Sequence, residues 1–394
     1  RDRSVSRGLG DVYKRQDYNA SAPIDEVVLE TMIDVYRNHV GNADSRTHDY
    51  GDQAREIVEN ARKQVASLLG ISSGEVFFTS GATESNNIAI QGLEAYAAQT
   101  GKNHIITSSI EHKAVLETVK AMSEKGFEID IIDPEKSGQI DPNRILSRVK
   151  ENTLLVSLMH VNNETGIIQP IEKIGQALCE RKVLFHIDAT QSCGKLVDEL
   201  RKVSYDMLSF SAHKLRGPQG IGALVLRKRK YKLPPVKAIM YGGQQEHGIR
   251  PGTIPVALVA GCGKACELAE NTYVENLSKV QFARECIITL LNKSGIKYMF
   301  NGDQKYCISN TLNICLEGVA SEALMLASKN YCGISNGSAC TSKSYAPSYV
   351  LTAMGLPLER IENSIRISWG PDTDINLLKT DFKKLIEVAK MLAQ

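Results

Sequence analysis

The sequence predicts an α/β fold: a large domain on a mainly parallel sheet, followed by a smaller α+β C-terminal domain. Three observations predict it. Short β-branched apolar runs recur through the first two thirds of the chain, helix-like segments separate several of them, and five of the runs stop at unusual polar clusters. Runs without strict alternation suit strands buried on both faces, and strands that alternate with helices form parallel sheets.

The elements follow in order. Residues 1–16 carry no hydrophobic pattern, and a non-native or disordered N-terminal extension is expected there, outside the fold. Helical character is expected over 52–69, 85–99 and 171–181, and strands at 76–79, 104–107, 154–161, 183–187, 207–210 and 223–226. The large domain is expected to run from 24 to 260, with a helix near 256–270 leading into the small one, 261–394. That domain should hold a strand at 311–315 and a last helix near 377–392. A chain of 394 residues is too long for one core, and 42% hydrophobic residues are enough for two.

Composition narrows the function. A net charge of +2 gives no electrostatic case for direct nucleic-acid binding. Nine cysteines, an odd number without a disulfide-scaffold rhythm, favour a reducing cytoplasm. No apolar run approaches the roughly 20 residues of a membrane helix, so no membrane association is expected. Cys262 and Cys266 share a helix face, but two ligands without further partners make a poor metal site, and none is expected. Gly261-Cys-Gly-Lys264 lacks the first glycine and the Ser/Thr of a phosphate loop, and 217–222 has the wrong glycine spacing for a dinucleotide fingerprint.

The five polar clusters are Ser80-Gly-Ala-Thr-Glu-Ser-Asn86, Ser108-Ser-Ile-Glu-His112, Asn162-Asn-Glu-Thr-Gly166, Asp188-Ala-Thr-Gln191 and Ser211-Ala-His-Lys214. Ligands of open α/β sheets bind beyond the carboxyl ends of strands, so one site would collect all five. Lys214 offers an amine that can bond an aldehyde, Asp188 a carboxylate for a pyridinium nitrogen, and the hydroxyls a phosphate cradle. That is the equipment pyridoxal 5'-phosphate (PLP) needs. A Lys–Asp pair alone is a weak signal, and the clustering strengthens it.

These segments carry a resemblance. With Asp17-Tyr-Asn-Ala-Ser-Ala-Pro23, Gly41-Asn-Ala-Asp-Ser-Arg-Thr-His48, Arg250-Pro-Gly-Thr253, Ser335-Asn-Gly-Ser-Ala-Cys340 and Ser364-Ile-Arg-Ile-Ser368, they run in family order from about 17 to the C-terminus. The chain resembles the PLP-dependent cysteine desulfurases of fold-type I, in the class V aminotransferase superfamily. The resemblance implies that 17–23 pack with the small domain. It also implies a cytoplasmic homodimer that converts L-cysteine to L-alanine and passes the sulfur, as a persulfide, to an acceptor protein.

Roles follow by resemblance. Lys214 would hold PLP and later act as a base, Asp188 would pair with the pyridine nitrogen, and Gln191 would reach the ring's phenolic oxygen. His112 would stack on the ring and move protons, and Asn163 would lie near ring and substrate. Ala82 and Thr83, at a helix start, would meet the phosphate with Ser211 and His213, and Thr253 would reach the phosphate of the partner subunit. Arg366 would grip the substrate carboxylate, for which a planar guanidinium suits two-point contact. Cys340, in a small-residue stretch without apolar periodicity, would be the nucleophile that takes the sulfur.

Other readings compete. One is a different class V enzyme, an aminotransferase or selenocysteine lyase; the Ser-Asn-Gly-Ser-Ala-Cys340 stretch favours the long-loop desulfurases instead. Another is a sulfur carrier without catalysis, against which intact Lys214, Asp188 and His112 argue. Within the desulfurases the motifs look closest to the branch that supplies DNA phosphorothioate modification. Ala43 and Pro251 depart from the iron–sulfur cluster pattern, and that supply or tRNA thiolation is the alternative.

Overall fold

In the computed structural model, which describes residues 17–336 and 346–393, seven strands form the main sheet. They are β1 (Val76–Thr79), β2 (His104–Ser108), β3 (Glu128–Ile132), β4 (Thr153–Met159), β5 (Leu184–Asp188), β6 (Met207–Ser211) and β7 (Gly222–Leu226). Their order across the sheet is β1-β7-β6-β5-β4-β2-β3. The pairs from β6 to β3 are all parallel, and β7 alone runs against its neighbours. The expected mainly parallel sheet is therefore present.

Three details differ from expectation. Strand β3 was not anticipated, because Glu128-Ile-Asp-Ile-Ile132 lies at the sheet edge with most of its residues partly or fully exposed. It lacks the doubly buried character of the others. The reversal of β7 follows from its connection. Only residues 212–221 join β6 to β7, and a parallel return needs a crossover of a dozen or more. The expected helix over 85–99 is two helices, Ala82–Gln91 and Glu94–Thr100, interrupted at Gly92 and Leu93.

The parallel strands end on one edge, which is where β1, β2, β4, β5 and β6 deliver the five polar clusters. Behind them lie cores on both faces of the sheet. One is packed by Val58, Val65, Phe185 and Phe210, and the other by Phe77, Ile88, Val115 and Leu224.

A 39-residue helix, Val256–Ser294, packs on helices Glu26–Asn38 and Asp49–Leu69, then continues to a second core. The expected boundary near 260 falls inside it. The second core lies on a three-stranded antiparallel sheet of β8 (Tyr298–Phe300), β9 (Thr311–Leu316) and β10 (Ser364–Ser368), ordered β10-β9-β8. Helix Ile375–Leu392 covers it with Leu378, Phe382 and Leu385. Trp369 is fully buried there, and its Nε1 donates to the Val280 carbonyl at 2.8 Å. Burying a side chain of this kind stabilises by roughly 2–3 kcal/mol. Among the described residues, no helix is long and apolar enough to cross a membrane.

Candidate active site

The site forms where the chain's first described residues cross between the two sheets. Asp17 bridges Ser368, the Asn19 N–H donates to Ser368 Oγ at 2.9 Å, and the Ala22 N–H donates to the His213 carbonyl at 3.0 Å. Asn19 is thereby held, 3% exposed, over the carboxyl ends of β5 and β6. It collects several partners. Its side-chain amide donates to the Asn163 carbonyl at 3.2 Å and to Thr311 Oγ1 at 3.0 Å, and its carbonyl accepts from Gln191 Nε2 at 3.0 Å.

Lys214 closes a 3₁₀ turn, Ala212–Lys214, directly after β6. Its Nζ donates to the carbonyls of Asn19 at 2.6 Å and Ala20 at 2.7 Å. Asp188, the last residue of β5, is buried. One of its oxygens accepts from Asn86 Nδ2 at 2.8 Å and the other from the Thr190 N–H at 3.0 Å. Both bonds fix the orientation of the carboxylate, which would face a pyridinium partner.

The phosphate-sized end of the site begins at Gly81, whose φ of 149° favours glycine and whose helix, Ala82–Gln91, has no side-chain cap. The Ala82 N–H donates to Ser211 Oγ at 2.7 Å, which joins β6 to the helix start. Gly222 makes the approach possible, since a Cβ there would lie 2.8 Å from Gly81 Cα. His213 reaches Ser21 Oγ at 3.4 Å, and burial, with the neighbouring Lys214 charge, pulls its pKa down to about 4, so the ring is neutral at pH 7. Thr83 is exposed and lines one groove with Asn87, Gln91 and His112.

His112 caps the helix Lys113–Glu124, its Nδ1 accepting from the Ala114 N–H at 3.1 Å. A neutral His112 therefore carries its proton on Nε2. Arg366 lies in β10, 3% exposed. Its Nη2 pairs with Asp17 at 2.5 Å, and its Nη1 donates to the Asn163 carbonyl at 2.9 Å. A carboxylate already sits against this guanidinium, which is the group a substrate carboxylate would replace or join.

Thr253 does not join this cluster within the chain. It is exposed, and among the described residues its side chain has no hydrogen bond. Its loop is nonetheless pinned. Glu246 accepts from Arg62 at 2.7 and 2.8 Å and from the Phe78 N–H at 2.7 Å, while Arg250 pairs with Glu84 at 3.0 Å. Cys340 lies outside the described residues. The chain on either side of it is anchored at the site. Ser335 pairs with the Arg366 backbone, and Ser348 Oγ donates to Glu164 at 2.5 Å.

Several residues here were not singled out from the sequence: Asn19, Asn86, Glu111, Glu164 and Lys195. Asn19 and Asn86 sit in motifs already noted, but only the fold shows which neighbour each amide serves. Burial pushes the Glu111 carboxyl up to about 8, with the Asp188 charge adding to it, although Ser108 and a backbone N–H oppose the shift. Burial likewise lifts Glu164 to about 7. Both were hidden because sequence gives a carboxylate's identity but not its burial.

The residues fit PLP on a structural ground. Among the described residues, Asn86 Oδ1, Thr190 Oγ1, Asn163 Oδ1, Arg366 Nε and Glu111 Oε2 are buried polar atoms without a hydrogen-bond partner, all in residues at or beside the carboxyl edge. Such groups are costly unless something polar meets them.

Comparison with known proteins agrees with this chemistry. Residues 16–378 match the class-V aminotransferase family model. The cysteine desulfurase IscS of Histophilus somni (strain 2336) is 42% identical over 385 residues, covering 95% of this chain and 94% of that protein. Two solved structures share the fold. A NifS-like protein has a TM-score of 0.88 at 33% identity, covering 96% of this chain and 100% of that one. DndA from Streptomyces lividans has a TM-score of 0.79 at 40% identity, covering 89% and 98%.

Proposed function

Because the chain belongs to the class-V aminotransferase family and is a cysteine desulfurase, we propose that it carries PLP on Lys214 and moves the sulfur of L-cysteine to Cys340 for an acceptor protein. The observation that carries this reading is the convergence of Lys214, Asp188, Gln191 and Ser211 at the ends of β5 and β6. When bound, PLP supplies an electron sink for the substrate's α-carbon.

The chain's own residues do the rest. Asp188 keeps a positive charge at the ring nitrogen favourable. The Lys214 amine leaves the Asn19 and Ala20 carbonyls to bind and then to move a proton. His112, protonated on Nε2, shares that proton traffic. Ser211 and the N–H groups that open helix Ala82–Gln91 receive the phosphate, where the helix dipole favours negative charge. Arg366 fixes the substrate carboxylate, and Asn163 is held beside it by that same guanidinium. Cys340 receives the sulfur as a persulfide, and alanine is the other product. Incubation with L-cysteine tests the reading. Alanine and transferred sulfur should appear in equal amounts; pyruvate or a transaminated product in place of alanine would rule it out.

Ala43 and Pro251, with the likeness to DndA, support sulfur supply for DNA phosphorothioate modification. The comparable identity to IscS proteins favours iron–sulfur cluster assembly or tRNA thiolation as the second reading. Trapping the persulfide acceptor in the native host separates them.

Cysteine desulfurases are usually dimers, and the exposed, pinned Thr253 suits a residue that serves the partner's phosphate. Mixing Lys214→Ala and Thr253→Ala protomers should then restore activity. In a heterodimer with shared sites, one site carries both defects and the other neither, so about half of its sites recover. Activity no higher than in the two parents would place Thr253 in its own subunit's site.

A further inference from the structure

Gln191 is held from two sides. Its Nε2 donates to the Asn19 carbonyl at 3.0 Å, the same oxygen that accepts from Lys214 Nζ at 2.6 Å. Its Oε1 accepts from Lys195 Nζ at 3.4 Å. A carbonyl only accepts and an ammonium only donates, so while Lys195 is protonated one amide orientation alone satisfies both contacts. The spacing is built in. After β5 the chain coils through a turn in which the N–H groups of Lys195 and Leu196 both reach the Ser192 carbonyl at 2.9 Å, bringing residues 191 and 195 together.

We propose that Lys195 is a positioning residue: from behind the site it locks the Gln191 amide with its N–H₂ toward Asn19, Lys214 and the cofactor ring. The surroundings explain why Lys195 is suited to this. It lines a cavity of about 270 Å³ between the two sheets, shared with Lys214, Leu268, Ile308 and Trp369. The other cations around that cavity have partners: Arg216 pairs with Asp25 at 3.0 Å and Lys279 with Glu275 at 2.7 Å. The phenols are also engaged, Tyr18 with Asp372 and Tyr273 with Asp198. Among the described residues no carboxylate pairs with Lys195, and Gln191 is its hydrogen-bond acceptor. Burial, with the Lys214 charge adding, draws the Lys195 ammonium down to about 7, while the nearby Cys193 opposes that shift.

The consequence is chemical and rests on the reading of Lys214 and Gln191 given above. An amide N–H beside the ring's phenolic oxygen favours the anion, and so lowers the pH at which the Lys214-bound cofactor gives up its proton. A flipped amide presents Oε1 instead and raises that pH. Loss of the Lys195 charge acts in the same direction, so the two effects need separating.

The test is a pH titration of the cofactor's absorbance in the holoenzyme. Lys195→Met should raise the midpoint by about one pH unit, a tenfold change in proton affinity. In a Gln191→Ala background the same substitution should keep less than half of that shift, because coupled residues are not additive. No shift, or an equal shift in both backgrounds, overturns the proposal; the equal shift would mean that Lys195 acts as a bare charge. Should Lys195→Met fail to fold with cofactor, Lys195→Gln, which retains an N–H donor, is titrated instead. It should stay closer to wild type than to Gln191→Ala, and the reverse overturns the proposal. A wild-type protein without the cofactor's absorbance would instead refute the underlying reading.

Discussion

Lys214→Ala is expected to remove the covalent hold on the cofactor and at least about 10³-fold of turnover, since general acid–base help alone contributes 10²–10⁴-fold. The geometry allows little substitution for it. Nζ rests 2.6 and 2.7 Å from two backbone carbonyls, delivered there by a turn that closes directly on β6. Another amine lining the same cavity is that of Lys195, whose ammonium burial draws down to about 7. Absorbance, followed by borohydride reduction and peptide mapping, gives the answer. Wild type should carry the reduced cofactor on Lys214, and the variant should carry none. A reducible link at Lys195 in both proteins would move the cofactor and with it the whole site.

Much of this site was legible because the chemistry sits at strand ends. Asp188 and Ser211 end buried, largely apolar strands and Lys214 follows one, and a parallel sheet delivers such ends to one edge. What the sequence hid are contacts that no local pattern encodes. Asn19 lies far along the chain from Gln191 and Lys214, yet its carbonyl is shared by both. Glu111 reads as a charged loop residue beside His112, whereas burial pushes it to about 8 and leaves it mostly neutral at pH 7. Strand β3 was missed because an exposed edge strand need not look buried. The reversal of β7 was missed although the brevity of 212–221 encodes it, since the burial pattern of a strand carries no direction.

The equivalent test for the sulfur acceptor is Cys340→Ser, which should keep the cofactor's spectrum and still bind L-cysteine while alanine formation falls roughly 10³-fold or more, because a hydroxyl is a weak nucleophile at its ordinary pKa. The other thiols argue for this choice. Burial pushes Cys307 and Cys315 up, lifts Cys332 to about 12 and Cys193 beyond that, so none of these offers a thiolate at neutral pH. Cys179 is exposed, but it ends the helix Ile171–Glu180, which leads into the amino end of β5 and so lies on the edge opposite the site. The described residues on either side of the segment that holds Cys340 are anchored at the site. Ser335 pairs with the backbone of Arg366, and Tyr349 donates through its hydroxyl to the Glu111 carbonyl at 2.8 Å. Cys179→Ser serves as the control and should turn over like wild type. Alanine formed at the wild-type rate by Cys340→Ser would mean that sulfur leaves directly from the substrate, and the protein would then work as a lyase without a persulfide on this residue.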